Sequence, residues 1–545
     1  MSRMTRRRTV LAGIGTTAAA TALPRFAIGQ ADTRRSITVA VQQNTNTNTL
    51  EPLREQSNVG ARMIYSFLEP LIDAKHQADL SPQPGLATEW KRIDDRTVEL
   101  KLRSGVKFHN GDTMTAEDVA FTFGTERMFG TPKADGKAPT LFTTAPGAAG
   151  RQAPPEVVAV AKRLWPKLQK VEVVAADTVR FVNGAPDVTL EGRIGRYGSE
   201  IISRRGFSEA ADWLTWARKP VGTGPYRIAE FKPDTHLILE SFDEYWGGRP
   251  PLKQIRFVVV PEVASRVNGL LSGQYDFACD IPPDQIAGIE RNPRYHVVGG
   301  TITNHRLICF DKNHPQLADA RIRRAMTLGI DRKLIVDTLW SGRTQIPHGL
   351  QWEYYGKMFL ADWPQPAFDP AQAKALVKAS GYKGDPIPFR VLNNYYTNQV
   401  ANAQALVEMW RDIGLNVKLE MKENWQQIFE RNSPRAVRDW SNSAPFNDPV
   451  SSIVNQHGPS GQQQQVGEWT NAEFNTLSNE LETSVDYERR RAIFRRMLTI
   501  AEVEDPAFTV LHQNVIFYGK RKDIDWKPSG LQYMDFRARN LRFTA

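Results

Sequence analysis

Val98, Leu100 and Leu102 alternate with Glu99, Lys101 and Arg103, and this period of two predicts a half-buried strand. Gly105 interrupts it, Val106 and Phe108 resume it, and Asn110-Gly111 marks a tight turn. Thr115 then opens a helix. Its hydroxyl is spaced to accept from the free amides of the first turn, and Asp118 to reach back in a capping box. Val119, Phe121 and Phe123 are too apolar for a solvated helix, so this one packs into a core. The same reading predicts strands at 36–41, 171–174, 179–182, 226–231, 237–242, 255–260, 307–310, 389–392, 417–421, 508–511 and 515–518. It predicts helices over 58–71, 156–168, 319–339, 370–380, 398–413 and 482–503, with Gly381 and Gly414 ending the fourth and fifth. In the 319–339 segment Ile322, Ala325, Met326, Ile330 and Leu334 fall on one face. The strand–helix–strand order of 389–421 implies an α/β lobe with helices covering a sheet. Residues 130–156, rich in Gly, Pro, Ala and Thr, read as a surface insertion, and Gln462 to Gln465 as loop.

Leu-Arg-Ser-Gly-Val-Lys-Phe-His-Asn-Gly-Asp-Thr-Met-Thr-Ala-Glu-Asp-Val-Ala-Phe-Thr-Phe, residues 102–123, closely resembles the signature of the periplasmic solute-binding proteins of the peptide/nickel/opine group, family 5, which feed ATP-driven importers. Leu86-Ala87-Thr88-Glu89-Trp90, Pro220-Val221-Gly222-Thr223-Gly224-Pro225-Tyr226, Tyr245-Trp246-Gly247 and the helix start Asp319-Ala320-Arg321-Ile322 are similar to the same family. The resemblance implies an α/β, two-lobed periplasmic binding protein (type II, cluster C) with an extra subdomain in lobe 1. Lobe 1 is then 32–305 plus 514–545, with the subdomain at about 76–210. Lobe 2 is 306–513, and the two crossings near 305 and 513 form the hinge. The implied function is capture of a small peptide or peptide-like solute in the interlobe cleft and its delivery to an ABC permease with its ATPase subunits. No cofactor is implied, the membrane is met only through the permease, and the protein is expected to be a monomer. A nickel or other metal chelate, an opine or a sugar conjugate is the alternative within the family. An exported hydrolase is the alternative outside it.

Cleft walls need stacking faces and hydrogen-bonding groups together. Asn46 and Thr47 lie in the polar run after the first strand, which the resemblance places on the cleft. Tyr65, Trp352, Tyr354, Asn394, Tyr395, Trp425, Trp440, Phe446, Asn447 and Asp448 complete the candidate ligand-binding set. The segment from Trp440 to Pro449 resembles the family loop ending in Asp-Pro that crosses the cleft. Peptide-binding relatives carry an aspartate a few residues before that Asp-Pro, for the ammonium end, and an arginine early in the helix starting here near Asn398, for the carboxylate. Here 443–446 hold no acid, Asp439 is the nearest upstream, and Val400 and Ala401 stand at the arginine's place. Nickel-type relatives use aromatic residues and a histidine near this loop, where this chain has His457.

The net charge of +10 narrows the options little, because Arg3, Arg6, Arg7, Arg8 and Arg25 of the leader, with no acid beside them, supply half of the excess. The remaining cations are dispersed, unlike a nucleic-acid groove, which needs a clustered basic stripe. The length of 545 residues suits two to four domains or subdomains. The Thr-Arg-Arg-Arg-Thr-Val-Leu order ahead of the apolar run from Val10 to Leu23 resembles a twin-arginine export signal, with an ordinary secretory signal as the alternative. Gly29-Gln30-Ala31 fits a small-residue cleavage site, so residues 1–31 are expected to be removed and the product to be periplasmic. No cysteine lies near that point, which excludes a lipoprotein anchor. Cys279 and Cys309, each beside a predicted strand, read as two buried thiols, with a disulfide as the alternative. The nine histidines show no paired metal-ligand spacing, and no nucleophile-elbow, phosphate-loop or metalloprotease motif occurs. Gly222 and Gly224 read as a backbone turn, since Pro225 removes an amide a phosphate would need.

Overall fold

The alternating segment forms the strand Thr97–Leu102, whose Val98, Leu100 and Leu102 are buried. The helix after it, Ala116–Thr122, starts at Thr115 with both bonds of the capping box present. The computed structural model describes residues 32–128, 153–393, 395–431 and 435–544. The leader and most of the 130–156 insertion lie outside them. Within the compact unit Arg34–Ala545, Thr97–Leu102 belongs to a four-stranded antiparallel sheet in the order Ala87–Asp94, Thr97–Leu102, Thr178–Asn183, Leu168–Ala175.

A ten-stranded mixed sheet organises the rest. Its spatial order is Val417–Lys422, Ile387–Leu392, Val437–Ser443, Tyr295–Phe310, Phe508–Arg521, Phe277–Ala278, Ser36–Val41, Gln254–Val259, His236–Ser241 and Tyr226–Lys232. Three large apolar clusters pack around it. One is drawn mainly from residues before 303 and after 515, and contains the four-stranded sheet. The other two are drawn mainly from residues between these limits. The two central strands, Tyr295–Phe310 and Phe508–Arg521, run through both regions side by side. Their register shifts between Thr301 and His305 and again between Arg306 and Leu307, where the chain passes from one cluster to the other.

Several elements differ from the pattern-based expectation. The segments 508–511 and 515–518 are one strand of 14 residues, because His512 and Gln513 of its polar interruption stay paired across the bulged crossing. The expected 319–339 helix is two, Ala320–Leu328 and Arg332–Trp340, because Asp331 caps a fresh N-terminus by accepting from Leu334 N at 2.9 Å. Ile330 is buried in the break, and Leu334 is exposed rather than on the buried face. The 58–71 helix stops at Ile64 and the 156–168 helix is Pro155–Leu164, after which Leu168 already starts a strand. The 482–503 segment begins its helix only at Tyr487, Asp486 being the cap, and ends in a π-helical turn, Thr499–Glu504. Gln462–Gln465 is a single helical turn rather than loop. A Cβ on Gly222 would sit 2.3 Å from the Phe67 carbonyl oxygen, so that glycine serves a close backbone approach. Cys279 and Cys309 are free, buried thiols.

The π-helical turn carries a pH-dependent element. Half-buried Glu502 accepts from Leu350 N at 2.7 Å and Trp363 Nε1 at 3.2 Å, and desolvation pushes its carboxyl up to about 7. The folded state therefore holds this proton more tightly than the unfolded chain does. Stability from it is full below the ordinary carboxyl range and lost as pH rises through about 7, a change of about 3 kcal/mol. The expected result is that Glu502→Gln flattens the fall of Tm between pH 4.5 and 8. Identical wild-type and variant profiles in thermal unfolding would refute it.

Candidate functional site

The polar run after the first strand is held by one carboxylate. Glu55 Oε2 accepts from Asn46 N at 2.9 Å, Thr47 N at 3.0 Å and Thr47 Oγ1 at 2.7 Å, and also from the Thr45 hydroxyl. Its other oxygen accepts from Ser57, which caps the helix Asn58–Ile64 through Gly60 N. A Cβ at Gly60 would lie 2.3 Å from Glu55 Cγ, so glycine there lets the carboxylate reach the loop. This brace fixes Asn46 and Thr47 on one wall of a cavity of about 290 Å³.

The opposite wall is aromatic. Tyr395, Tyr396, Trp425, Phe429 and Trp440 line it. Tyr395 meets Trp425 edge-on at 5.0 Å between centroids, and Trp425 meets Trp440 at 4.9 Å. Two buried arginines back these rings. Arg306, paired with Asp439, lies 3.4 Å from the Tyr396 centroid, and Arg438, paired with Glu468 at 2.7 Å, lies 4.5 Å from that of Trp440. Several wall residues carry buried polar atoms with no hydrogen-bond partner: Asn46 Oδ1, Trp425 Nε1, Trp440 Nε1 and Asn455 Oδ1. Each orphan costs about 1–3 kcal/mol unless a guest or water engages it. Asn58 donates to Ser441 at 3.1 Å and Asn46 to Tyr395 at 3.3 Å, so hydrogen bonds cross from wall to wall.

The candidate residues distribute unevenly. Asn46, Thr47, Tyr395, Trp425 and Trp440 come together at this cavity. Tyr354, Phe446, Asn447 and Asp448 line a second cavity of about 350 Å³ instead, and Pro445 borders both. There Asp448 is engaged by Arg490 through two bonds, 2.8 and 2.9 Å. Tyr65 lines neither of the two but is buried behind their walls: its hydroxyl donates to Asp73 and its ring stacks on Tyr533 at 5.0 Å. Trp352 is core, stacked on His305 at 4.0 Å. Asn394 lies outside the described residues. Asp439 does not reach the cavity either, for it is buried with Arg306 and accepts from Gln399 at 3.0 Å. His457 is packed 4.6 Å from Phe508, and burial pushes it down to about 3. Among the described residues no group of three or more His, Cys, Asp or Glu is arranged to hold a metal ion.

Wall residues that the pattern reading missed include Arg163, Arg196, Gln532 and Tyr533. Arg163 ends a helix, where a cation reads as a complement to the helix dipole, and the others sit in stretches without period. Tyr396 stands beside Tyr395, and Ser441, Ser443 and Pro445 lie within the 440–449 segment already singled out.

The profile of the bacterial extracellular solute-binding proteins, family 5 Middle, matches residues 81–463. The chain belongs to this family. This family 5 protein is 23% identical over 470 residues to a dipeptide-binding protein of Escherichia coli K12, covering 81% of this chain and 82% of that protein. A dipeptide-binding protein from Pseudoalteromonas sp. SM9913, solved in complex with Met-Leu, superposes with a TM-score of 0.80 at 19% identity, covering 94% of this chain and 100% of the other. A binding protein from A. tumefaciens R10 in complex with mannopinic acid gives 0.78 at 18%, covering 94% and 100%. The fold is thus that of the two-lobed periplasmic binding proteins, and the family is one of solute-binding rather than catalytic proteins. Among the described residues no helix is long and apolar enough to cross a membrane.

Proposed function

We propose that this family 5 protein is the extracytoplasmic solute-binding subunit of an ABC importer, taking a small peptide-like solute into the cavity between its lobes and passing it, unaltered, to the permease. Lobe 1 comprises 32–305 and 514–545, with the subdomain at about 76–210, and lobe 2 comprises 306–513. The chain is exported to the periplasm through its twin-arginine leader, is not lipid-anchored, and works as a monomer without a cofactor. The observation that carries the reading is the cavity itself: segments far apart along the chain wall it, and both walls present orphaned polar atoms beside aromatic rings. A guest touching both walls stabilises only the shut arrangement, which is the form a permease can read.

Native mass spectrometry of gently purified protein tests this, together with small-angle scattering after the guest is removed and returned. A retained small molecule that compacts the protein and leaves it unchanged is expected. Absence of compaction, or recovery of a cleaved molecule, would sink the proposal.

Among the described residues one ion pair spans the cleft, and opening would break it. Arg193 donates to Glu482 at 2.8 Å, both buried, while Asp187 holds the same guanidinium at 2.8 Å from its own side. Glu482→Ala removes the cross-cleft bond and leaves Arg193 paired. The shut form is expected to lose about 2 kcal/mol, read as a larger radius of gyration of the guest-free variant. An unchanged radius would remove this pair from the closure.

A further inference from the structure

The cavity wall holds two arginines that form no ion pair with any described residue. Arg163 ends the helix Pro155–Leu164, is only 8% exposed, and makes no hydrogen bond or ion pair with any described residue. Arg196 is 6% exposed, and its one hydrogen bond runs from Nε to the Tyr197 carbonyl at 3.2 Å. The other buried arginines around the cleft are paired: Arg193 with Asp187, Arg306 with Asp439, Arg438 with Glu468. Arg54, the third cation of the wall, pairs with Glu156 at 3.2 Å. Among the described residues no aspartate or glutamate lines this cavity.

An unpaired guanidinium nearly out of water costs several kcal/mol, and two near each other cost more. Burial, and then the charge of Arg163, pushes Arg196 down to about 9, so both remain cationic at neutral pH. The adjoining acid, Glu200, forms no ion pair with either arginine, and burial pushes it up to about 7, so it supplies only part of a charge at neutral pH. Two forked donors on one wall match the oxygens of a carboxylate or phosphate. The facing wall presents rings and side-chain amides and, among the described residues, no anion, so an ammonium group there would meet only neutral acceptors and ring faces.

We propose that Arg163 and Arg196 form an oxyanion site, and that the solute of this cleft carries a carboxylate or phosphate there and no free amine. This rests on the solute-binding reading above and narrows it to acidic, amine-free guests, such as N-blocked peptides or acidic sugar derivatives. The ordinary free dipeptide is disfavoured, since its ammonium end would meet no carboxylate among the described residues of the wall.

The test compares wild type with R163Q/R196Q by thermal unfolding at matched ionic strength in sodium chloride, acetate and phosphate. Wild type is expected to gain Tm in acetate or phosphate over chloride, and the double variant to gain none. In chloride alone the double variant is expected to melt higher than wild type, because two unpaired buried charges are gone. A larger rise in acetate assigns the site to carboxylate, and a larger rise in phosphate to phosphate. Equal rises in both proteins overturn the proposal. The single variant R163Q, which has no internal bonds to lose, gives the same reading if the double variant does not fold. It is also expected to weaken binding of the solute recovered by native mass spectrometry about thirtyfold or more. A recovered solute that is neutral or cationic overturns the oxyanion site and leaves the solute-binding reading standing. Anion-specific stabilisation without compaction by any solute does the reverse.

Discussion

Replacing Arg537 by alanine is expected to destabilise the protein by about 3–5 kcal/mol, the largest loss from any single side chain considered. Arg537 is buried and pairs with Glu69 and Asp535, both at 3.0 Å. It also donates to the Tyr245 hydroxyl at 2.9 Å and the Tyr65 carbonyl at 3.2 Å, and its guanidinium lies 4.1 Å from the Tyr65 ring centroid. Truncation would leave Glu69 and Asp535 as buried anions. Asp535 keeps a contact with Arg539 at 3.2 Å, but Glu69 keeps only neutral donors, from Thr223, Tyr245 and Trp246. Arg537 also ties the last segment of the chain to the helix region before Pro70, so its loss frees that segment as well. Urea unfolding of R537A and of R537K separates the terms: lysine restores charge without the fork and is expected to recover part of the loss. A change below about 1 kcal/mol in R537A would show that the cluster tolerates the missing cation.

The second large effect concerns affinity. Trp440→Ala is expected to weaken binding of the solute recovered from the protein by about 2 kcal/mol, roughly thirtyfold, with little change in stability. The ring is half-buried, sits edge-on to Trp425 at 4.9 Å and 5.8 Å from Phe429, and its Nε1 has no partner. The strand Val437–Ser443 does not depend on that ring, since Trp440 pairs with Leu307 through backbone bonds. Calorimetric titration of the variant measures the loss. Unchanged affinity would take this wall out of the binding site.

The pattern of the sequence was most legible where one short stretch contains all the partners. The capping box of Thr115 and Asp118, the helix stop at Gly381 and the strand Ser36–Val41 are of this kind. The split at Gly329-Ile330-Asp331 was also written locally, in the cap of Asp331, but an unbroken apolar face concealed it. The fused strand Phe508–Arg521 was not local at all. Its polar middle, His512 to Asn514, is strand only because Tyr295–Phe310 runs beside it.

The candidate site divides in the same way. Aromatic and amide residues in polar loops can be chosen from sequence as wall material, and Asn46, Thr47, Tyr395, Trp425 and Trp440 do share one cavity. Sequence does not tell a ring facing a cleft from a ring facing a core, which is why Tyr65 and Trp352 stand elsewhere.

By itself, then, the chain of residues determined the family, through the motif at 102–123, and most of the elements, because turns, caps and periodicity act over a few residues. Tertiary structure alone decided which charges have partners. Arg193 and Arg196 lie three positions apart on similar sequence, yet one meets Asp187 and Glu482 while the other meets no carboxylate. The physical reason is that pairing at 3 Å depends on segments far apart along the chain, such as 193 and 482, and no local pattern records which of them the fold brings together.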